Sequence, residues 1–393
     1  MNRVLTRIIV CILIAIILLP LSERGYAHGN SHMLIHKPKS SDQSPNISSI
    51  IMTVGSSRQA AFVSELRIER SELDQTIRKA KQKQAEQADI YPDIYITHLT
   101  AERDEYRLER SGQLWNESQS VRLELSARLA KQLTELADGL RKQHYGKLLT
   151  WQQATGLMPN KSIFSVTELQ SGLTFRVQRR AGSDHADVQP LTKDDSRIMK
   201  HIYNGRWSWK RKAVLVRTDG EWVAASMNGM PHGGDGIPEN GFSGHFCIHF
   251  LGSSTHKSEY PDPAHQMMVH KAAGQLEPYF DAAEPLVLAK SFIEAMYHQD
   301  EEIIRLLTEK LPKEQQSAFI QGMYELVSIR EQLPAKGKAE PAPNRGSLGD
   351  ALLTELHVPI TIHPINGQRR NSSYTFRFNR ASVQSPWRIH HIE

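Results

Sequence analysis

The chain has 393 residues, 39% hydrophobic and 23% charged, with net charge +5 and a pI near 9.0. That length allows two or three separate cores. The charge is modest and spread out, with no basic stripe of interleaved aromatics, which excludes a nucleic-acid partner and suits an anionic cell wall, with a membrane surface as a further contact.

Residues 1–27 read as a signal peptide. Arg3 and Arg7 precede an unbroken apolar run from Ile8 to Leu19, and Gly25-Tyr26-Ala27 supplies small residues at a cleavage site. The run is short for a membrane span, although an uncleaved anchor is the alternative. Cleavage after Ala27 removes Cys11 and leaves Cys247 as the one thiol, so no internal disulfide supports the exported chain. The expected location is outside the cell, in the cell wall or on the outer face of the membrane.

Residues 28–50, rich in Ser, His, Asn and Lys, read as a disordered linker. Residues 51–150 carry many Glu, Gln, Arg, Lys, Ala and Leu, and Leu125, Leu129, Leu133, Leu136 and Leu140 form a helical stripe. With Pro92 between two long helices, the expectation is a helical hairpin or coiled coil, serving as a spacer or as a homodimer contact. The expected fold class is therefore multidomain α+β with a helical N-terminal unit.

From Ser162 the period changes to two, and a β-rich domain is expected over residues 160–280. Ile163–Leu169 and Leu173–Gln178 form one hairpin, and Ala213–Arg217 and Glu221–Ser226 form another across an Asp-Gly turn. A short helix over 194–203 takes Thr192 as its N-cap. A further helix is expected from Pro263 to Leu276, with His256 and His265 on the surface. Residues 284–393 read as an α+β domain: amphipathic helices through Phe292, Met296, Ile303, Leu306 and Leu307, a flexible loop at 334–347, then three strands at 357–363, 373–379 and 387–392. That order resembles the nuclear-transport-factor-2-like fold.

The chemistry concentrates in Ser243-Gly-His-Phe-Cys-Ile-His-Phe250. Strict alternation sends Phe246, Ile248 and Phe250 to one face of a strand and His245, Cys247 and His249 to the other. A thiol among imidazoles can ionise and act as a nucleophile. His232 lies on a Gly-rich loop fifteen residues upstream and is the candidate base or cationic partner. Gly233 and Gly244 permit close backbone approach to a substrate, and amides at Gly244, Phe246 and Cys247 are candidate oxyanion donors. Ser243 is a candidate orienting hydroxyl. Asp187, beside His185, is a candidate third member of a triad or a turn residue. Trp207 and Trp209 are candidates to pack on a sugar ring or on the domain's rim. The competing chemistry is zinc held by His185, Asp187, His245 and His249, since residues i and i+2 on a strand lie about 6.5–7 Å apart. The chain has no His-Glu-x-x-His motif.

The His232-Gly233 pair followed by Ser243, Cys247 and Ile248 resembles the signature of L,D-transpeptidases of the YkuD type. Two positions depart from it: Phe246 stands in place of glycine and His249 in place of arginine or asparagine. The segments His185–Leu191, Ser226–Gly233 and Gly244–Phe250 also resemble a group of exported Gram-positive proteins of unassigned activity, often joined to peptidoglycan-binding modules. The resemblance covers about residues 163–275. It implies a cysteine acyltransferase or hydrolase acting on peptidoglycan stem peptides, with Cys247 as nucleophile, His232 as its partner and no cofactor. The alternatives are a zinc-dependent cell-wall peptidase and a non-catalytic peptidoglycan-binding or envelope scaffold protein.

Overall fold

The computed structural model describes residues 49–393 apart from 70, 100–102, 219, 235, 256–259 and 333–348. The expected signal peptide, most of the expected linker, His256 and the 334–347 loop lie outside the described residues. The last two residues assigned to the linker, Ser49 and Ile50, instead open a strand.

The N-terminal unit corrects the sequence reading most. It comprises β1 (Ser49–Gly55), β2 (Val63–Ile68), α1 (Ser71–Lys79), β3 (Lys81–Gln84), β4 (Ile90–Leu99), β5 (Asp104–Glu109), β6 (Leu114–Asn116), β7 (Val121–Glu124) and α2 (Ala127–His144). The strands form a seven-stranded sheet in the order β2-β1-β4-β5-β6-β7-β3. Among the described residues there is no helical hairpin or coiled coil here. The helix-rich composition is outweighed by short alternating runs, in which Ile94, Ile96 and His98 turn inward from β4. Pro92 does not separate helices. It sits inside β4, where the register to β5 shifts between Ile90 and Tyr95, a bulge that tolerates a residue without an amide proton. The leucine stripe, apart from Leu125, does lie on a helix, α2, but Leu129, Leu133 and Leu140 pack with Ile50, Met52 and Val54 of the sheet. The dimer expected through residues 51–150 thereby loses its coiled-coil basis. Across the described residues strand outweighs helix, 37% to 29%, so the expected multidomain α+β class, with its helical N-terminus and nuclear-transport-factor-2-like end, gives way to a mostly β architecture.

After α3 (Trp151–Leu157) come β8 (Ile163–Glu168), β9 (Thr174–Ala181), β10 (Ala186–Pro190), α4 (Lys193–Ile202), β11 (Lys212–Thr218), β12 (Glu221–Met227) and β13 (Phe246–His249). The six strands close into a barrel in the order β10-β13-β12-β11-β8-β9. Closure removes the exposed sheet edges. Its interior is filled by Phe164, Val166, Phe175, Val216, Phe246 and Ile248. Thr192 caps α4 in a reciprocal box with Asp195.

The remaining elements are α5 (Pro263–Ala272), α6 (Leu276–Asp281), α7 (Pro285–His298), α8 (Glu301–Leu307), α9 (Lys313–Tyr324), β14 (Leu326–Glu331), β15 (Leu353–Pro364), β16 (Arg370–Asn379) and β17 (Arg388–Ile392). The last four strands pair in sequential order. One core joins this part to the barrel: Leu215 and Ala224, on the barrel's outer face, share it with Met267, Phe292, Ile360 and Phe376. The connection from α2 is tight. Gly146 donates to the carbonyl of Ala272, and a Cβ on it would lie 2.5 Å from the Ala224 nitrogen. Among the described residues no helix is long and apolar enough to cross a membrane.

Candidate active site around Cys247

Strand register assembles the site. β13 pairs antiparallel with β10, setting Asp187 opposite Cys247 and Val188 opposite Phe246. On the other side β12 sets Ser226 opposite His249. Because side chains alternate, the apolar members enter the barrel while His185, Asp187, Ser226, Cys247 and His249 share its outer face. That face is not open to solvent. Helix α5 lies across it, and Cys247 is 5% exposed.

The His232 loop reaches the thiol through a second backbone pairing. His232 and His245 exchange amide–carbonyl hydrogen bonds of 2.9 and 2.8 Å, anchoring the loop just before β13. Two glycines make this possible. Gly233 has φ +74°, and a Cβ there would lie 2.2 Å from the His245 ring; Gly244 has φ +85°, and a Cβ there would lie 2.3 Å from the His232 carbonyl oxygen. The half-buried His232 then directs Nε2 at Cys247 Sγ, 3.2 Å away. Its Nδ1 donates to the Met230 carbonyl at 2.8 Å, which fixes the tautomer because a carbonyl only accepts. His185 is held the same way, with Nδ1 donating to the Ser254 carbonyl at 2.8 Å. Its Nε2 faces Asp187 Oδ1 at 3.2 Å. Asp187 Oδ1 also lies 3.5 Å from His245 Nε2 and 3.9 Å from Cys247 Sγ.

These contacts set the charges. Burial alone raises a thiol pKa, yet hydrogen bonds from His185, His232 and His249 bring Cys247 down from 9.0 to about 4. Burial opposes a charged His185, but Asp187 and the sulfur outweigh it and lift this imidazole to about 10. The bond to Cys247 raises His232, against the desolvation it also experiences. Burial lowers His249, with the neighbouring His185 charge adding to the effect, and burial lowers His265 further. A lowered thiol beside a raised His185 favours a thiolate–imidazolium pair there, while the lowered His249 and His265 favour neutral rings.

Of the residues singled out from the sequence, Cys247, His232, His245, His249, His185 and Asp187 converge. Asp187 is 4% exposed on β10, so it is no turn residue. Ser243 is exposed, and its side chain makes no hydrogen bond among the described residues. Trp209, 41% exposed, stands at the rim with its ring centroid 5.2 Å from that of His232. Trp207 packs edge-on against Phe242 at 5.1 Å and belongs to the barrel's margin. The amide of Gly244 makes no hydrogen bond among the described residues, so it remains available as a donor.

His265 corrects the surface assignment made from the sequence. It is 2% exposed, stacks on His249 with centroids 3.7 Å apart, and has Nδ1 2.9 Å from the Ser226 hydroxyl. The signal was there: Ala264–Val269 contains no formally charged residue, as expected of a helix buried all round. Asp262 caps this helix through the amides of Ala264 and His265 and also holds Arg211 at 2.6 Å. Neither Ser226 nor the positioning carbonyls of Met230 and Ser254 were legible as site members.

Comparison with protein-family models, with curated proteins and with solved structures returns no match.

Proposed function

We propose that this protein is a cysteine acyltransferase or hydrolase acting on peptide carbonyls of the cell wall, similar in logic to L,D-transpeptidases. The observation that carries the reading is the 3.2 Å contact between Cys247 Sγ and His232 Nε2, with Nδ1 of the same ring tied to a carbonyl. Nucleophile, base and orienting group form a linear set, which is the arrangement covalent acyl transfer requires.

In the proposed reaction the thiolate sulfur attacks a peptide carbonyl carbon. The carbonyl π electrons move to oxygen, where the Gly244 amide is the candidate donor. Collapse breaks the C–N bond, and the departing amine takes the proton from His232 Nε2. The resulting thioester is attacked by an amine or by water, whose proton His232 takes back, and the thiolate is released. His185, charged beside Asp187, stabilises the sulfur as an anion before attack and again when the thioester is resolved. The stem peptide as substrate and the export of the chain rest on the signal-peptide pattern and on the resemblance to transpeptidases and exported wall proteins.

The test is mass spectrometry of the intact protein after incubation with peptidoglycan stem peptides. A covalent adduct on Cys247 is expected, absent in Cys247→Ala, whose unchanged circular dichroism shows an intact fold. Stem-peptide turnover by Cys247→Ala would refute the nucleophile. Binding of wall fragments that survives Cys247→Ser, with no adduct and no turnover in the unsubstituted protein, would favour a non-catalytic binding module.

A further inference from the structure

The thiol has a second set of neighbours that the acyl-transfer scheme does not require. Ligand-capable atoms of His185, Cys247 and His249 all lie within 4.8 Å of one another, and all three residues are buried. His232 is not one of them. From this geometry we infer that Cys247 belongs to two sites: a nucleophile facing His232, and a soft divalent-metal site made with His185 and His249, whose occupation silences the nucleophile. The silencing rests on the nucleophile reading; the metal site does not.

Four features carry the assignment. The donors are one sulfur and two imidazoles, a set that suits Zn²⁺. Zn–N distances of about 2.0–2.1 Å and Zn–S of about 2.3 Å place tetrahedral ligand atoms roughly 3.3–3.8 Å apart, so the group needs to close by only about 1 Å. His185 is oriented as metal-binding histidines are, its Nδ1 proton given to the Ser254 carbonyl and its Nε2 turned to the group. His249 is 1% exposed, and its Nδ1 has no hydrogen-bond partner among the described residues. A buried ring nitrogen without a partner is costly, and metal ligation in this cluster relieves the cost either directly or by reorienting the ring.

Asp187 Oδ1, 3.9 Å from Sγ, is the nearest carboxylate to complete the coordination. The zinc set expected from the sequence, His185, Asp187, His245 and His249, is thus altered: Cys247 enters, and His245, with Nε2 3.5 Å from Asp187 Oδ1, lies outside the group. Metal binding displaces the proton on His185 Nε2 and any proton on the thiol to solvent. It engages the sulfur electron pair that would otherwise attack carbon, so a metal-bound Cys247 is not a nucleophile.

The probe is Co²⁺ added to untagged, metal-free protein, read by a near-ultraviolet thiolate-to-metal charge-transfer band, with Zn²⁺ as competitor. One band per chain is expected, lost in Cys247→Ser. Affinity should fall at least about tenfold in His185→Gln and in His249→Gln, yet change less than about twofold in His232→Gln. Zn²⁺ should protect Cys247 from iodoacetamide. Circular dichroism on each variant separates lost ligation from lost folding, and an intact fold with unweakened Co²⁺ binding in His185→Gln overturns the site. So does the absence of the band, or equal weakening in His232→Gln. Fast metal-free labelling without a Co²⁺ band removes the metal site and leaves the nucleophile standing. Slow labelling with the band removes the nucleophile, and with it the silencing, while leaving a metal centre.

Discussion

At the scale of single residues, the site is a problem of charge. Cys247 Sγ lies 3.9 Å from Asp187 Oδ1, and a thiolate that close to a carboxylate is favoured only with imidazolium beside it. His185 supplies the inner charge and His232 the outer one. Replacing His232 by Ala should raise the apparent pKa of Cys247 by roughly 1–3 units, the size of an opposite-charge contact at this range. The pH profile of alkylation on metal-free protein reads the shift directly, and an unmoved profile would remove His232 from the pair. The loop geometry has its own test. Gly244→Ala adds a Cβ at φ +85°, against the His232 carbonyl, and should cost roughly 1–3 kcal/mol while slowing labelling, because the His232–His245 bridge is disturbed. Thermal unfolding and labelling together check it; a variant as stable and reactive as the parent would show that the bridge does not set the site. Much of this scale was legible in the sequence. Alternation placed Cys247 on the polar face, and Pro231-His232-Gly233 marked a tight loop. The stack of His265 on His249 was not legible, because the contact joins a helix to a strand and no local pattern pairs the two.

At the scale of elements, α5 decides how accessible the thiol is. Its cap, Asp262, also partners Arg211, with the two side chains 18% and 22% exposed. Asp262→Ala should therefore cost more than the ~1 kcal/mol of a lost cap, since it strands a largely buried guanidinium. It should also speed alkylation of Cys247 as α5 loosens over β12 and β13. Thr192→Ala is the contrast. It removes the cap of α4, which packs on β9 and β10, and should cost about 1 kcal/mol with the labelling rate unchanged. Chemical denaturation with parallel labelling distinguishes the two; equal labelling effects would mean that α5 is no cover. Short strands and capped helices could be read from local signals here, as at Thr192 and at the 163–178 hairpin. The N-terminal unit could not. Its strands depend on partners far apart in sequence, such as β3 with β7, and Lys81-Gln-Lys-Gln84 has no alternation to announce a strand.

At the scale of the whole molecule, the barrel does not stand apart from the C-terminal helices and sheet. Leu215 and Ala224 of its outer face lie in the core that contains Phe292 and Phe376. Arg141 of α2 donates to Asp93 of β4 at 2.8 Å and to the Gly274 carbonyl, beyond α5, at 2.7 Å, joining the N-terminal sheet to the later part of the chain. A fragment of residues 145–275 should accordingly unfold less cooperatively and at a lower temperature than residues 49–393, because removing the C-terminal part bares the outer face of β11 and β12. Calorimetry of the two proteins tests this, and an independently folded fragment with the parent's melting temperature would contradict it. The shared core was not legible in the sequence, since no local pattern records which outward-facing residues of a barrel will be covered.

The central claim is that Cys247 is an ionised nucleophile paired with His232. The measurement that tests it most directly is the rate of iodoacetamide labelling of Cys247 against pH, on metal-free protein. A lowered pKa means the reactive anion survives as pH falls, so labelling should stay fast through neutral pH and decline only toward pH about 4, far below the 9.0 of an unperturbed thiol. Slow labelling at neutral pH, rising only as the medium approaches that ordinary value, would show a protonated, inert thiol and end the acyl-transfer account.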